Sequence, residues 1–144
     1  MEDQNEKTFS EAEYLESHGQ EKAAFDKYSD FIEQTLSLVK QDDENVNLKI
    51  RSKLGLAYNN RGYLRYLKVD FDEAIVDYTA GLNFDPKMHF SYYNRGLIHY
   101  RLGRFEEAIT DMKKCVQLKP DFEPAQQCLK QSIIDSHNKQ NKES

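Results

Sequence analysis

Glycine and proline are scarce: six and three among 144 residues, about 6% together where average usage is about 12%. A β-sandwich or barrel needs a turn every ten residues or so, and that punctuation is missing. Helices joined by short turns are the expected architecture. Tryptophan is absent, and only two cysteines occur, Cys115 and Cys128. A disulfide framework is thereby excluded, no zinc-ligand spacing arises, and both thiols are expected to be free in a cytoplasmic or nuclear setting. No apolar run reaches 18 residues, so no bilayer-spanning helix is expected. The start, Met1-Glu2-Asp3-Gln4-Asn5-Glu6, has neither the basic nor the apolar stretch of a signal peptide. Positive charge is in deficit, with 20 Lys and Arg against 25 Asp and Glu, a net charge of −5. That balance gives no electrostatic reason to bind nucleic acid or an acidic membrane. Nine tyrosines, eight phenylalanines and 38% hydrophobic residues argue against wholesale disorder.

An internal repeat organises the chain. With residues 55–88 laid over 89–122 and no gap, eleven of 34 positions are identical. About two would be expected by chance at average composition. The matches include Asn60/Asn94, Arg61/Arg95, Gly62/Gly96, Tyr66/Tyr100, Ala74/Ala108, Asp77/Asp111 and Pro86/Pro120. Each unit reads as a helix hairpin. Tyr92, Gly96 and Tyr100 lie at i, i+4 and i+8, on one helix face. A mid-helix Gly costs about 1 kcal/mol against Ala, so its recurrence points to close contact with another helix. Gly103 suits a helix C-terminus, and Pro120 stops the second helix. Phe105, Ala108, Ile109, Met112 and Val116 give that second helix its apolar stripe.

This pattern resembles the tetratricopeptide repeat family, a 34-residue helix pair with a bulky residue, Gly and Tyr in the first helix, Ala in the second and a closing Pro. Tyr92, Gly96, Ala108 and Pro120 fill four of its slots. Arg61 and Arg95 stand in the Leu slot, His99 in the Tyr slot, and Val69 replaces the turn Gly. A degenerate upstream copy aligns Gly19 with Gly103 and Ala24 with Ala108. The resemblance implies an all-α, right-handed α-solenoid of three hairpins plus a capping helix, seven helices in all. Residues 5–138 are read as one domain. Repeat 1 covers about 5–39, an acidic loop 40–47, repeat 2 about 48–88 with an extended first helix, and repeat 3 covers 89–122. The cap spans 123–138, patterned by Ala125, Leu129, Ile133 and Ile134, and 139–144 are expected to form a disordered tail.

No enzyme is expected. Asp72-Glu73 and Glu106-Glu107 open helices, where negative charge favours the helix dipole. The four histidines, His18, His89, His99 and His137, make no ligand pair, and no Gly-rich phosphate loop occurs. No cofactor or metal is therefore expected. Arg61 precedes Asp77 by sixteen residues and Arg95 precedes Asp111 by the same distance, so both pairs are expected to be structural ion pairs between the helices of a hairpin.

The resemblance further implies that first helices line a concave, partner-binding groove. Its slots fall on Phe9, Asn59, Asn60, Tyr63, Tyr66, Leu67, Phe90, Tyr93, Asn94, Leu97, Tyr100 and Arg101, with Glu13 and Glu16 from repeat 1. Tyrosine-rich surfaces suit protein interfaces. The expected function is a non-enzymatic adaptor that docks a segment of a partner protein in this aromatic groove. A chaperone cofactor using another surface and a structural subunit of a larger assembly are the alternatives. The carboxylate clamp that holds acidic C-terminal chaperone tails would fall on Phe9, Glu13, Asn60, Phe90 and Asn94, where only Asn60 matches. Such tails are disfavoured as ligands, because the charge-assisted contacts are missing. The sequence names neither the partner nor the oligomeric state.

Overall fold

The computed structural model describes residues 3–39 and 44–143, with side chains from residue 48 onward in the second stretch. Among the described residues there are seven α-helices and no strand. They are α1 (Gln4–Ser17), α2 (Glu21–Val39), α3 (Glu44–Leu67), α4 (Phe71–Phe84), α5 (His89–Arg101), α6 (Phe105–Leu118) and α7 (Glu123–Glu143). Contacts divide them into two compact units, one ending at Pro86 and one beginning at Lys87.

In the first unit α1 pairs with α2, α3 pairs with α4, and α2 packs on α3. Its core gathers Phe9, Tyr28, Phe31, Leu54 and Leu64 around the fully buried Ala12, Ala24 and Ala57. In the second unit α5 pairs with α6, and α7 packs on both. Ala74 and Ala108, equivalent in the two complete repeats, are fully buried where the hairpin helices approach. Gly62 and Gly96 mark the same approach from the opposite helix. A Cβ on Gly62 would stand 3.0 Å from the Tyr78 ring, and one on Gly96 3.0 Å from Asp111 Cβ.

All three hairpins turn alike. Gly19, Val69 and Gly103 take φ of +73°, +63° and +75°. The following amides, Gln20, Asp70 and Arg104, donate back to the carbonyls of Leu15, Arg65 and His99 at 2.9, 2.9 and 2.8 Å. This closure satisfies helix-end carbonyls and favours Gly at the left-handed position. Val69 occupies it with a β-branched, exposed side chain, at a steric cost of about 1–2 kcal/mol. Val69→Gly is therefore expected to stabilise the protein by about 1 kcal/mol, after the extra freedom of Gly in the unfolded chain is deducted. Urea unfolding measures it, and a destabilised variant would contradict the strain at this turn.

Three expectations need correction. Of the loop expected at 40–47, residues 40–43 lie outside the described residues and 44–47 belong to α3. The run Glu44-Asn45-Val46-Asn47 holds neither Pro nor Gly, so nothing in it prevents the helix from starting there. The tail expected to be disordered from 139 is instead helical through Glu143, and Ser144 lies outside the described residues. Between Pro124 and Glu143 nothing in the sequence breaks a helix, and Lys139 Nζ donates to the Gly103 carbonyl at 3.3 Å. Finally, Ile133 and Ile134 face outward, whereas Ser132 and Ser136 are buried. The buried face is set by Ala125, and small side chains at its seventh and eleventh successors fit a close helix approach.

Candidate functional site

Two arginine–aspartate forks organise the hairpins. Arg61 Nε and Nη2 donate to Asp77 Oδ2 and Oδ1 at 2.9 and 2.8 Å. Arg95 repeats the geometry on Asp111 at 2.9 and 2.7 Å. The fork matches two planar groups and adds direction to charge. Asp77 also takes Arg65 Nη1 at 3.4 Å. The Asp111 carboxylate, hydrogen-bonded to Arg95, holds that guanidinium above its usual pKa. These four residues are framework, as the sixteen-residue spacing predicts.

Of the groove residues expected in the first unit, Phe9 must be reassigned. It is buried, edge-on to Tyr28 and Phe31 with centroids at 5.9 and 5.2 Å, and Lys53 Nζ lies 4.8 Å from its ring centroid. An aromatic residue facing this core gains more from burial than from solvent. Asn59 is also buried, and its amide donates to Asn60 Oδ1 at 3.2 Å. Asn60 in turn donates to Tyr28 Oη at 3.2 Å, while that hydroxyl donates to Glu16 Oε1 at 2.6 Å. Burial first, then the Glu16 carboxylate, push the Tyr28 pKa up. Tyr28 and Glu16 were not paired by periodicity. The available signal was a tyrosine on a core stripe, since a buried hydroxyl needs a partner.

Tyr63 and Leu67 stay open on α3, 41% and 43% exposed and one helical turn apart. Tyr66 stacks beside Tyr63 at 6.1 Å and against Phe71 at 5.8 Å. Glu13 is exposed on α1. The first unit thus brings together an aromatic strip from α3 and leaves no cation at the Glu13 slot.

In the second unit α7 meets the expected groove side of α5. Tyr93 packs edge-on to Phe122 at 5.2 Å, and Leu97 joins the cluster around Met112, Cys115 and Ala125. Tyr100 Oη donates to Asp135 Oδ2 at 2.6 Å, which pushes the Tyr100 pKa up to about 12. Phe90 packs against His89, Asn94 is half-buried, and Arg101 is exposed. Cys115 is buried and Cys128 half-buried, both with free thiols. Burial pushes the Cys115 thiol up to about 11, so it is an unreactive core filler. Among the described residues no group of three metal-ligating side chains occurs.

His99, in the slot where the repeat pattern has Tyr, buries Nδ1 without a hydrogen-bond partner. Burial lowers its pKa, with Arg95 and Arg104 acting in the same direction and Asp111 and Glu107 opposing. The unfolded chain therefore binds a proton near pH 6.5 that the folded unit resists. Stability is expected to fall as pH drops through 6.5 toward the lowered folded value. Thermal melts from pH 7.5 to 5 measure it, and His99→Phe should flatten the slope.

Ion-paired helix hairpins with a small residue at each crossing define a helical-repeat protein. Residues 89–122 match the tetratricopeptide repeat family model. Among solved structures, the chain is similar to the C-terminal TPR-containing domain of Plasmodium falciparum putative FK506-binding protein PFL2275c. The TM-score there is 0.83 at 16% identity, covering 95% of this chain and 91% of that one. It is similar to the Arabidopsis OM64 TPR domain, with TM-score 0.70 and 21% identity over 89% of this chain and 93% of that one. It is also similar to the first TPR of Spaghetti (RPAP3) bound to HSP90 peptide SRMEEVD, with TM-score 0.70 and 18% identity over 90% of both. The fold is thus the all-α tetratricopeptide-repeat fold.

Proposed function

We propose that this chain is a non-enzymatic adaptor that docks an extended or helical segment of a partner protein on the aromatic strip of α3. One observation carries the reading: Tyr63 and Leu67 remain exposed, beside Tyr66, while Phe9 and Asn59 are buried and Asn60 and Glu16 are engaged with Tyr28. Aromatic anchors of this kind dominate interface energies. Within the family, the runs AYNNRG and YYNRGLIHYRLGRFEEAITDMKK resemble tetratricopeptide repeat protein 32, a small stand-alone member. A cytoplasmic or nuclear setting accompanies the proposal, in keeping with the two free thiols.

A second reading has support in the neighbours whose structures hold chaperone peptides, the HSP90 peptide SRMEEVD among them. Against an acidic tail stand the buried Phe9 and the exposed Glu13 at clamp slots, where a carboxylate ligand needs cations. The test places a photo-crosslinking amino acid at position 63, with position 110 on α6 as control. A protein captured only from position 63 is then titrated. Tyr63→Ala is expected to weaken its binding about 30-fold, the equivalent of about 2 kcal/mol, and Arg101→Ala less than threefold. Added salt should change little, since few charges need screening. Unchanged binding by Tyr63→Ala and Leu67→Ala would overturn the α3 site. Micromolar, salt-sensitive binding of SRMEEVD, lost on amidation of its C-terminus, would establish the chaperone reading instead.

A further inference from the structure

The two halves of α7 are held by different physics. The first half is anchored by apolar packing: Ala125 is fully buried, and Phe122, Cys128 and Leu129 pack with it against Met112 and Cys115. The second half is turned inside out. Ser132 and Ser136 face the protein, while Ile133 and Ile134 are 48% and 52% exposed. Serines bury almost no apolar surface, so the hydrophobic effect contributes little to docking this half.

Its attachment falls to a few side-chain contacts. Tyr100 Oη on α5 donates to Asp135 Oδ2 at 2.6 Å. Ser136 Oγ donates to Glu106 Oε1 on α6, also at 2.6 Å. Lys139 Nζ donates to the carbonyl of Gly103 in the α5–α6 turn at 3.3 Å. Between that turn and the end of α7 lies a cleft of about 410 Å³, with Leu102 and Phe105 on one side and Ser136 and Lys139 on the other.

We propose that the second half of α7, from Ser132 to Glu143, is a releasable latch closed over the Tyr100 end of α5. Segments with few apolar contacts open independently of the core they rest on. Here the boundary falls where the buried face changes from Ala125 and Leu129 to Ser132 and Ser136. The latch holds Tyr100 through Asp135, so a segment binding at that end of α5 must first displace the chain's own helix. That last consequence rests on the proposed interaction function; the latch itself does not.

Residue-resolved amide exchange on the intact chain, without a partner, tests the latch. Amides of 132–143 are expected to exchange at one common rate, well above those of 105–118. Asp135→Ala and Tyr100→Phe should each speed exchange of 132–143 by about tenfold or more, the range for a hydrogen bond to a charged group, and leave 105–118 unchanged. The double variant should be no faster than Asp135→Ala, because both substitutions remove the Tyr100–Asp135 contact and Asp135→Ala also removes the bond that Gln131 Nε2 donates to Asp135 Oδ1 within α7 at 3.0 Å. Alanine is the better helix former, so simple fraying would slow in Asp135→Ala. An exchange profile graded inward from Glu143 and unmoved by either substitution would overturn the latch. Acceleration extending through 105–118 would also overturn it, since α7 would then open only with the whole unit. Loss of binding at Tyr63 would leave these outcomes untouched, so the two proposals fail separately.

Discussion

Asp77→Ala is expected to lower stability by about 3 kcal/mol or more, the largest effect of any single polar substitution in the first unit. Asp77 is 1% exposed and accepts two hydrogen bonds from Arg61, with Arg65 3.4 Å away. Removing the carboxylate strands a guanidinium whose side chain is only 16% exposed. Arg61 keeps one hydrogen bond, from Nη1 to Ser29 Oγ at 3.2 Å, and lies over the rings of Phe25 and Tyr58. Those contacts place the cost near the lower end of the range for broken buried pairs. Replacing Arg61 and Asp77 together by apolar residues of similar size should cost less than Asp77→Ala alone, because no unpaired charge remains. The exposed pair Lys27–Glu11, 3.1 Å apart, is the control: Lys27→Ala should cost less than about 1 kcal/mol. Urea unfolding of the three variants decides it. A loss below about 1 kcal/mol for Asp77→Ala would show that solvent reaches Arg61.

Gly62→Ala and Gly96→Ala are expected to reverse the usual sign of a Gly-to-Ala change in a helix. Propensity alone favours Ala by about 1 kcal/mol. Here the added methyl at Gly62 meets Tyr78 Cε1 at 3.0 Å, Tyr78 Cδ1 at 3.1 Å and Asp77 Cβ at 3.2 Å. Tyr78 is buried and its ring has nowhere to move. At Gly96 the methyl meets Asp111 Cβ and Met112 Cε, both at 3.0 Å. Relief requires the two helices to separate, which also stretches the Arg–Asp fork beside each glycine. The net loss should be about 1–2 kcal/mol per site, overpacking exceeding the propensity gain. Gly96→Ala should be the milder, since the Met112 tip can turn aside. Thermal and urea unfolding measure both, and a stabilised variant would mean the hairpins are looser than their geometry shows.

The hairpins were legible in the sequence because the repeat prints its constraints twice. Gly62 and Gly96, Ala74 and Ala108, and the two Arg–Asp pairs each appear at the same offset, so an accident at one copy is corrected by the other. What lacked a second copy was read less well. The start of α3 has no counterpart in repeat 3, and its polar residues read as loop although none of them breaks a helix. The inversion of α7 was hidden because isoleucine spacing alone does not say which face meets the core. That face is fixed by Ala125 upstream and by the hydrogen bonds of Asp135 and Ser136, partners 35 and 30 residues away in sequence. For the candidate site, the slots carried over from the family fall on α1, α3 and α5. They could not tell a groove residue from a core one. Phe9 went to the core and Asn60 to a buried hydroxyl, whereas Tyr63 and Leu67 stayed outside.

The hydroxyl of Tyr28 meets Glu16 on α1 and Asn60 on α3 from its own position on α2. One oxygen thereby belongs to three helices and two repeats. In a linear array, unfolding ordinarily spreads inward from the end whose repeat has the weakest match to its neighbours. The degenerate first hairpin is that end here, and peeling it away breaks the bond from Asn60 to Tyr28 across the repeat boundary. The junction acts as a splice: melting of the first hairpin is transmitted to the second rather than stopping at the boundary between them. Glu16, Tyr28 and Asn60 are accordingly free to vary only as a set, and a homologue that loses one should have lost the other two.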